Sequence, residues 1–255
     1  MLRTFGLLVL AATAWGQRPM DTDALIEKAR EKALAYAQSL PDFVATEVVR
    51  RYAGVPGTAF HTVPTDSLTI QLRYFQHREE HKLMLYNGEP ANTDFEKLDG
   101  LTGRGEFGST LGAIFNTGSE TKFEVQKRIT VRQRPAVRFA FDIDLPHSRY
   151  VLSSKIAGKL VEAVVSYHGV LEIDAETAEV LHMEYIADRV PKELRLFGAS
   201  TAVDYALADI GGQQYLLPSR SVMELHAYEW VRNVIEFRDY RKFSADSSIE
   251  FGVPK

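Results

Sequence analysis

The sharpest constellation of reactive side chains is His77-Arg78-Glu79-Glu80-His81. It fits H-x-x-E-H, in which a helix brings two imidazoles to one face about one turn apart, with a glutamate nearby to act as base. The flanks deliver a strand instead. Leu68, Ile70, Leu72 and Tyr74 alternate with Thr69, Gln71 and Arg73 on the way in, and Leu83 and Leu85 lead out. On a strand the two histidines stand roughly four rises of 3.3 Å apart, beyond what one zinc with ~2.1 Å bonds can bridge. The stretch therefore reads as a polar hairpin turn, and no metal site is expected there.

Three weaker patterns resolve the same way. Gly103-Arg104-Gly105-Glu106-Phe107-Gly108 fits G-x-G-x-x-G, but Asp94-Phe95-Glu96-Lys97-Leu98-Asp99 ahead of it is not the buried strand that a dinucleotide site needs. It reads as a loop entering a short helix, able to act as a flap over a site. Asp142 and Asp144 share one strand face, where paired carboxylates serve glycosidases or bind calcium; the polar face of a half-solvated sheet accounts for them. His147-Ser148 follows Pro146 as a turn, and the chain has no G-x-S-x-G elbow. His61, His168, His182 and His226 are dispersed without metal spacing. No catalytic residue and no cofactor are expected; a hydrolase using Asp142, Asp144 or His147 is the enzymatic alternative.

Composition narrows the field further. Of 255 residues, 45% are hydrophobic and 25% charged, which is ordinary for a globular chain. Thirty Lys and Arg against 34 Asp and Glu give a net charge of −4, the wrong balance for a nucleic-acid binder. The pairs Arg50-Arg51, Lys127-Arg128 and Arg241-Lys242 form no basic stripe. With no cysteine, disulfides, zinc-thiolate sites and cysteine nucleophiles are excluded.

The N-terminus reads as an address. Met1-Leu2-Arg3-Thr4 is a short positive region, Phe5 to Trp15 is apolar, and Ala14 and Gly16 stand at the −3 and −1 places before Gln17. That is the three-part plan of a secretory signal peptide over residues 1–16, cut before Gln17. The apolar run is about half the ~20 residues needed to cross a bilayer, so the mature chain is expected to be periplasmic or secreted and not an integral membrane protein.

Residues 21–40 predict one helix. Asp21 or Thr22 can cap it, Leu25, Ala29, Ala33, Tyr36 and Leu40 recur at helical spacing with Ile26 and Ala37 beside them, and Pro41 stops it. Lys28, Glu31, Lys32 and Gln38 form a solvated face. Strands follow: Val44–Tyr52, Leu68–Tyr74, His81–Tyr86, 122–132, 136–145, Tyr150–Ser153, Val161–Ile173, Val180–Ala187, Thr201–Ile210, Gln214–Leu217, Ser219–Glu229 and Val231–Lys242. Asn87-Gly88-Glu89-Pro90, Asp174-Ala175-Glu176-Thr177 and Gly211-Gly212 supply turns. Only Ser109–Phe115 reads as a second, short helix, and no repeating βα unit exists to build a parallel sheet. The expected fold is mainly β: a long curved antiparallel sheet, an incomplete β-barrel, wrapped around the N-terminal helix, with residues 17–255 as one domain.

The strand faces carry a surplus of apolar surface. Leu68, Ile70 and Leu72, then Phe139, Phe141 and Ile143, then Val203, Tyr205 and Leu207, then Met223 and Leu225 are expected to point inward. One alanine-rich helix about 30 Å long covers only part of that area. Sheet closure, a lid or a guest must fill the rest, and these eleven residues are the expected wall of an apolar cavity.

This layout resembles the LolA/LolB-like lipoprotein-carrier superfamily. The resemblance lies in the helix followed by Leu40-Pro41-Asp42-Phe43-Val44-Ala45-Thr46-Glu47, in the Ile173-Asp174 turn before Val180, and in the ending Glu236-Phe237-Arg238-Asp239-Tyr240-Arg241-Lys242 followed by Ile249-Glu250-Phe251. It covers most of the mature chain and is closest to uncharacterised secreted bacterial proteins of that plan. It implies an incomplete barrel around a helix, with a cavity that holds acyl chains. The carriers' Arg-Pro segment between early strands is missing, their lid-latching arginine has no clear match in Arg50 or Arg51, and no functional residue carries over; the Gly100–Phe115 insertion would be a lid. The expected function is an exported binding module for a lipid or other apolar ligand. An envelope interaction domain with a filled core and a protein partner is the alternative.

Overall fold

The computed structural model describes residues 21–54, 62–91, 95, 107–156, 158–228 and 230–243. The signal peptide and its cleavage position, and most of the glycine-rich segment from Gly100, lie outside the described residues.

Helix α1 (Thr22–Ser39) begins where the sequence places it: Asp21 Oδ1 accepts from Ala24 N at 3.0 Å, satisfying a donor the first turn would leave free. Leu25, Ile26, Ala29 and Ala33 are its buried face. Four strands follow as a meander: β1 (Phe43–Gly54), β2 (Thr62–Phe75), β3 (Arg78–Tyr86) and the two-residue β4 (Glu89–Pro90). Then come α2 (Ser109–Phe115), β5 (Lys122–Val131), β6 (Arg134–Ile143), β7 (Val151–Ile156), β8 (Lys159–Val164), β9 (Ser166–Asp174), β10 (Val180–Asp188), β11 (Gly198–Ile210), β12 (Gln213–His226) and β13 (Trp230–Lys242).

Eleven of these strands form one antiparallel sheet in the order β4-β3-β2-β1-β13-β12-β11-β10-β9-β6-β5, open at both edges and not closed into a barrel. The first and last long strands, β1 and β13, pair and so join the two meanders. The free edges are guarded: β4 is short and ends in Pro90, and β5 bears Lys122, Glu124, Lys127 and Arg128.

The expected single strand Val161–Ile173 is divided. β7 and β8 make a separate two-stranded sheet, and the chain breaks at Val165, whose N–H donates to Tyr150 O at 2.9 Å. Conversely, Gln214–Leu217 runs on through Pro218 into Ser219–His226 as one strand, β12, and the expected end at Glu229 lies outside the described residues. A register irregularity against β11 falls between Asp204 and Tyr205, as a β-bulge gives. The residue left without a partner is Ser219 of β12, and β11 keeps its alternation through the buried Val203 and Tyr205; the expected inward Leu207 is nevertheless 58% exposed.

Three apolar clusters hold the fold. The first joins Leu25, Ala29 and Ala33 of α1 and Leu111, Ile114 and Phe115 of α2 to the inner residues of β6, β9, β10 and β11. The second lies under β1, β2, β3 and β13 and includes Phe95 and Phe107. The third packs the β7–β8 hairpin on Leu194 and Leu196. The opposite face of the main sheet is polar and paired across strands, as in Arg138 with Glu172 and Arg50 with Glu236.

Candidate functional site: two clefts beside a helix pair

Three polar pegs fix α1 on the sheet. Tyr36, which touches both large clusters, donates its hydroxyl to Leu216 O on β12 at 2.7 Å. Tyr74 of β2 donates to Ala37 O at 2.9 Å. His77 Nδ1 lies 3.1 Å from the same carbonyl, a donor to it when Nδ1 carries the proton. Burial, with Tyr74 nearby, pushes the Tyr36 hydroxyl well above the usual range, so it stays a donor. α2 is tied in turn by Arg30 Nη1, which donates to Phe115 O at 2.7 Å.

The segment leading into α2 comes close to α1. Gly108 has φ +114°, and a Cβ there would stand 2.8 Å from Tyr36 Cδ1 and 3.1 Å from Ala37 Cβ. Only glycine fits. Phe107 just before it is 2% exposed and meets Phe43, Tyr74, Phe237 and Tyr240 with ring centroids 5.4–6.4 Å apart. It plugs the second cluster from above.

The helix pair leaves a cleft on each side. The first, about 480 Å³, runs between Leu34 of α1, the Ser109, Thr110, Gly112, Ala113 and Asn116 side of α2, and Arg149, Tyr150, Tyr167 and Tyr185. The three tyrosine rings form one cluster, 5.3 Å, 5.3 Å and 5.8 Å between centroids. The second, about 340 Å³, follows α1 from Ala29 to Leu40 and is walled by Leu111, Val180, Tyr205, Tyr215 and Leu216. Both volumes lie in the range of small-molecule sites. A third groove, of about 590 Å³, opens on the other face over Gly169, with Asp142, His168 and Glu184 among its lining.

The expected cavity wall is distributed differently. Leu68, Ile70 and Leu72 are packed in the second cluster beneath Phe95 and Phe107, and Phe139, Phe141, Ile143 and Val203 in the first beneath the helices. Each is at most 4% exposed. Met223 leans on the second cluster and Leu225 on the third. Of the eleven, Tyr205 alone lines a described cleft beside the helices; Phe141 lines the outer groove. What sequence reasoning missed is the filling supplied by Phe107, Leu111, Ile114 and Phe115, and the wall made by Tyr150, Tyr167 and Tyr185. The i, i+3, i+4 spacing of Leu111, Ile114 and Phe115 was the available signal.

The other candidate side chains are engaged separately. His81 Nε2 lies 3.4 Å from Glu47 Oε1, both largely buried, and its ring stacks on Phe95 at 5.1 Å. Asp144 pairs with Lys122 at 2.9 Å, which holds its carboxyl below the usual range. His147 pairs with Glu120 at 3.5 Å. Among the described residues no three His, Asp or Glu side chains are grouped as a metal site requires, and no helix is long and apolar enough to cross a membrane.

No family model matches the chain, and no curated protein matches it. Among solved structures it is similar to a LolA superfamily protein from Nitrosomonas europaea, at 13% identity over 87% of this chain and 93% of that one, with a TM-score of 0.33. It is also similar to a DUF1329 family protein from Desulfovibrio piger, at 12% identity over 88% and 94%, TM-score 0.40. A third likeness is to a structure described as an outer membrane lipoprotein-sorting protein domain from Vibrio parahaemolyticus, at 12% identity over 89% and 95%, TM-score 0.39. At these scores the likeness is one of layout along nearly the whole chain, and it carries nothing about what this protein binds.

Proposed function

We propose that this is an exported binding module for a lipid or other apolar chain, with the guest lying in the clefts beside the α1–α2 pair. The observation that carries the proposal is that the helix pair is pegged in place yet leaves about 480 Å³ and 340 Å³ unfilled on its two sides. An acyl chain gains about 0.8 kcal/mol for each CH₂ it buries, so apolar walls suffice for affinity. In this proposal Tyr205 touches the guest, while Leu68, Ile70, Leu72, Phe139, Phe141, Ile143 and Val203 support the walls from behind. Residues 1–16 serve as the signal peptide, and residues 17–255 form the mature domain in the periplasm or outside the cell. Intact-mass analysis of the exported protein tests this: a chain retaining Phe5–Trp15 contradicts it.

Native mass spectrometry of freshly purified protein is the direct test of cargo. A co-purified lipid, released on unfolding, is the expected result; a bare chain that also fails to take up an added fatty acid contradicts the proposal. A protein-docking role is favoured by one observation, the exposure of Phe197 (81%) and Tyr228 (97%) on adjoining segments, where Phe197 N donates to His226 O at 2.6 Å.

A further inference from the structure

The two clefts differ in charge. In the second, Lys32 is matched by Glu179, Nζ to Oε1 3.7 Å, so the cation on its wall is already neutralised. In the first, Arg149 is exposed and has no partner among the described residues. Among the described residues no Asp or Glu lines that cleft. Two described acids near it in sequence are engaged elsewhere, Glu120 with His147 and Asp144 with Lys122.

The remaining polar groups of the first cleft are suited to donate. Ser109 and Thr110 offer hydroxyls. The Asn116 side-chain oxygen already accepts from Gly118 N at 2.8 Å, which leaves its amide hydrogens available. Below them the tyrosine cluster is broad and aromatic. Burial, then the neighbouring Tyr185, raises the Tyr150 and Tyr167 hydroxyls well above the usual range, so neither becomes an anion that would repel one.

We propose that the first cleft selects amphiphiles with an anionic head, a carboxylate or a phosphate, held by Arg149 with Ser109, Thr110 and Asn116. The chain lies over Tyr150, Tyr167 and Tyr185. This rests on the apolar-chain reading above and adds the chemistry of the head. A guanidinium offers several N–H donors to either oxyanion. A neutral hydroxyl head offers it a single acceptor and no opposite charge.

The test is calorimetric titration of the purified protein with dodecanoate, dodecanol and dodecanoyl lysophosphatidylglycerol, at low and high salt. Dodecanoate and the lysophospholipid separate a free fatty acid from a phospholipid as the source of the anion. At least one of them should bind roughly three- to fivefold tighter than dodecanol, the size of one partly exposed ion pair. The preference should vanish in Arg149→Gln, persist in Arg149→Lys, and shrink at high salt. Melting temperatures equal to that of the unmodified chain show that both variants are folded. Equal affinity for all three amphiphiles, unchanged in Arg149→Gln, overturns the head-group assignment while leaving an apolar-chain carrier intact. No binding of any amphiphile overturns both.

Discussion

Glu179 faces Lys32 across the rim of the second cleft, Oε1 to Nζ 3.7 Å, while its other oxygen accepts from Arg134 Nη2 at 3.2 Å. Arg134 also donates from Nε to Asp174 Oδ2 at 2.7 Å. The start of β6, the β9–β10 turn and α1 are thus linked by one set of charges. Its two ends differ in burial. The Lys32 and Glu179 side chains are 44% and 29% exposed, whereas Asp174 is 3% exposed. Lys32→Ala should therefore change stability by less than about 0.5 kcal/mol. Arg134→Ala strips a buried carboxylate of its cation and should cost about 2 kcal/mol. Urea midpoints check the contrast; equal shifts would contradict it.

The same network gives the stability a sign with pH. Burial alone would raise the Asp174 carboxyl, but N–H donors from Thr177 and Glu176, together with Arg134, outweigh it and hold the group below the usual range. Asp66 is likewise lowered, chiefly by its hydrogen bonds from Arg51, against a desolvation that raises it. A carboxyl whose folded pKa lies below its unfolded value near 3.9 contributes stability above that pH and loses it as pH falls through the folded pKa. Melting temperature should hold above about pH 4 and drop below it. Asp174→Asn should start lower at neutral pH and fall less steeply in acid; an identical acid limb would rule the linkage out.

Phe107 should matter far more than its place in a glycine-rich segment implies. It fills the second cluster among Phe43, Tyr74 and Phe237. Phe107→Ala should cost about 3–5 kcal/mol, as large-to-small changes of buried aromatics do. A loss below about 1 kcal/mol would mean the cluster closes without it.

Two glycines should respond oppositely to alanine. Gly169 pairs with Phe141 and Tyr185 in the sheet, and a Cβ on it would collide with the Glu184 carbonyl and stand 2.8 Å from the Phe141 ring. Gly169→Ala should destabilise by several kcal/mol, on the scale of a backbone displaced by overpacking. Gly112 lies within α2 with nothing within 4 Å of its Cβ position, so Gly112→Ala should be neutral or stabilising by up to about 1 kcal/mol. Thermal melts of both variants check the pair.

Much of the fold is legible in the sequence because its signals are local. The Asp21 cap, the Leu25–Ala33 spacing and the period-two runs Leu68–Tyr74 and Val137–Ile143 specify α1, β2 and β6. Asp174–Thr177 and Gly211-Gly212 specify turns. Long-range facts are not local. Alternation through Val161–Ile173 does not reveal that Val165 bonds to Tyr150 and splits the run. Leu207 follows the alternation of Val203 and Tyr205 in sequence yet lies exposed. The surplus of apolar surface was readable; that Phe107, Ile114 and Phe115 fill most of it depends on where a distant segment docks. The clefts are what that docking leaves, so their tyrosine wall had no signature in spacing.

The most direct test of the account is titration of a fluorescent fatty acid into the purified protein and into variants that fill each cleft. Gly112→Phe places a ring in the first cleft from a position with open space, and Ala35→Phe does so from the exposed wall of the second. The account predicts saturable binding to the unmodified chain, weakened at least about tenfold, near 1.4 kcal/mol, in one variant or in the double, with the melting temperature kept. Saturable binding that is indifferent to the double variant, or no binding at all, would contradict it.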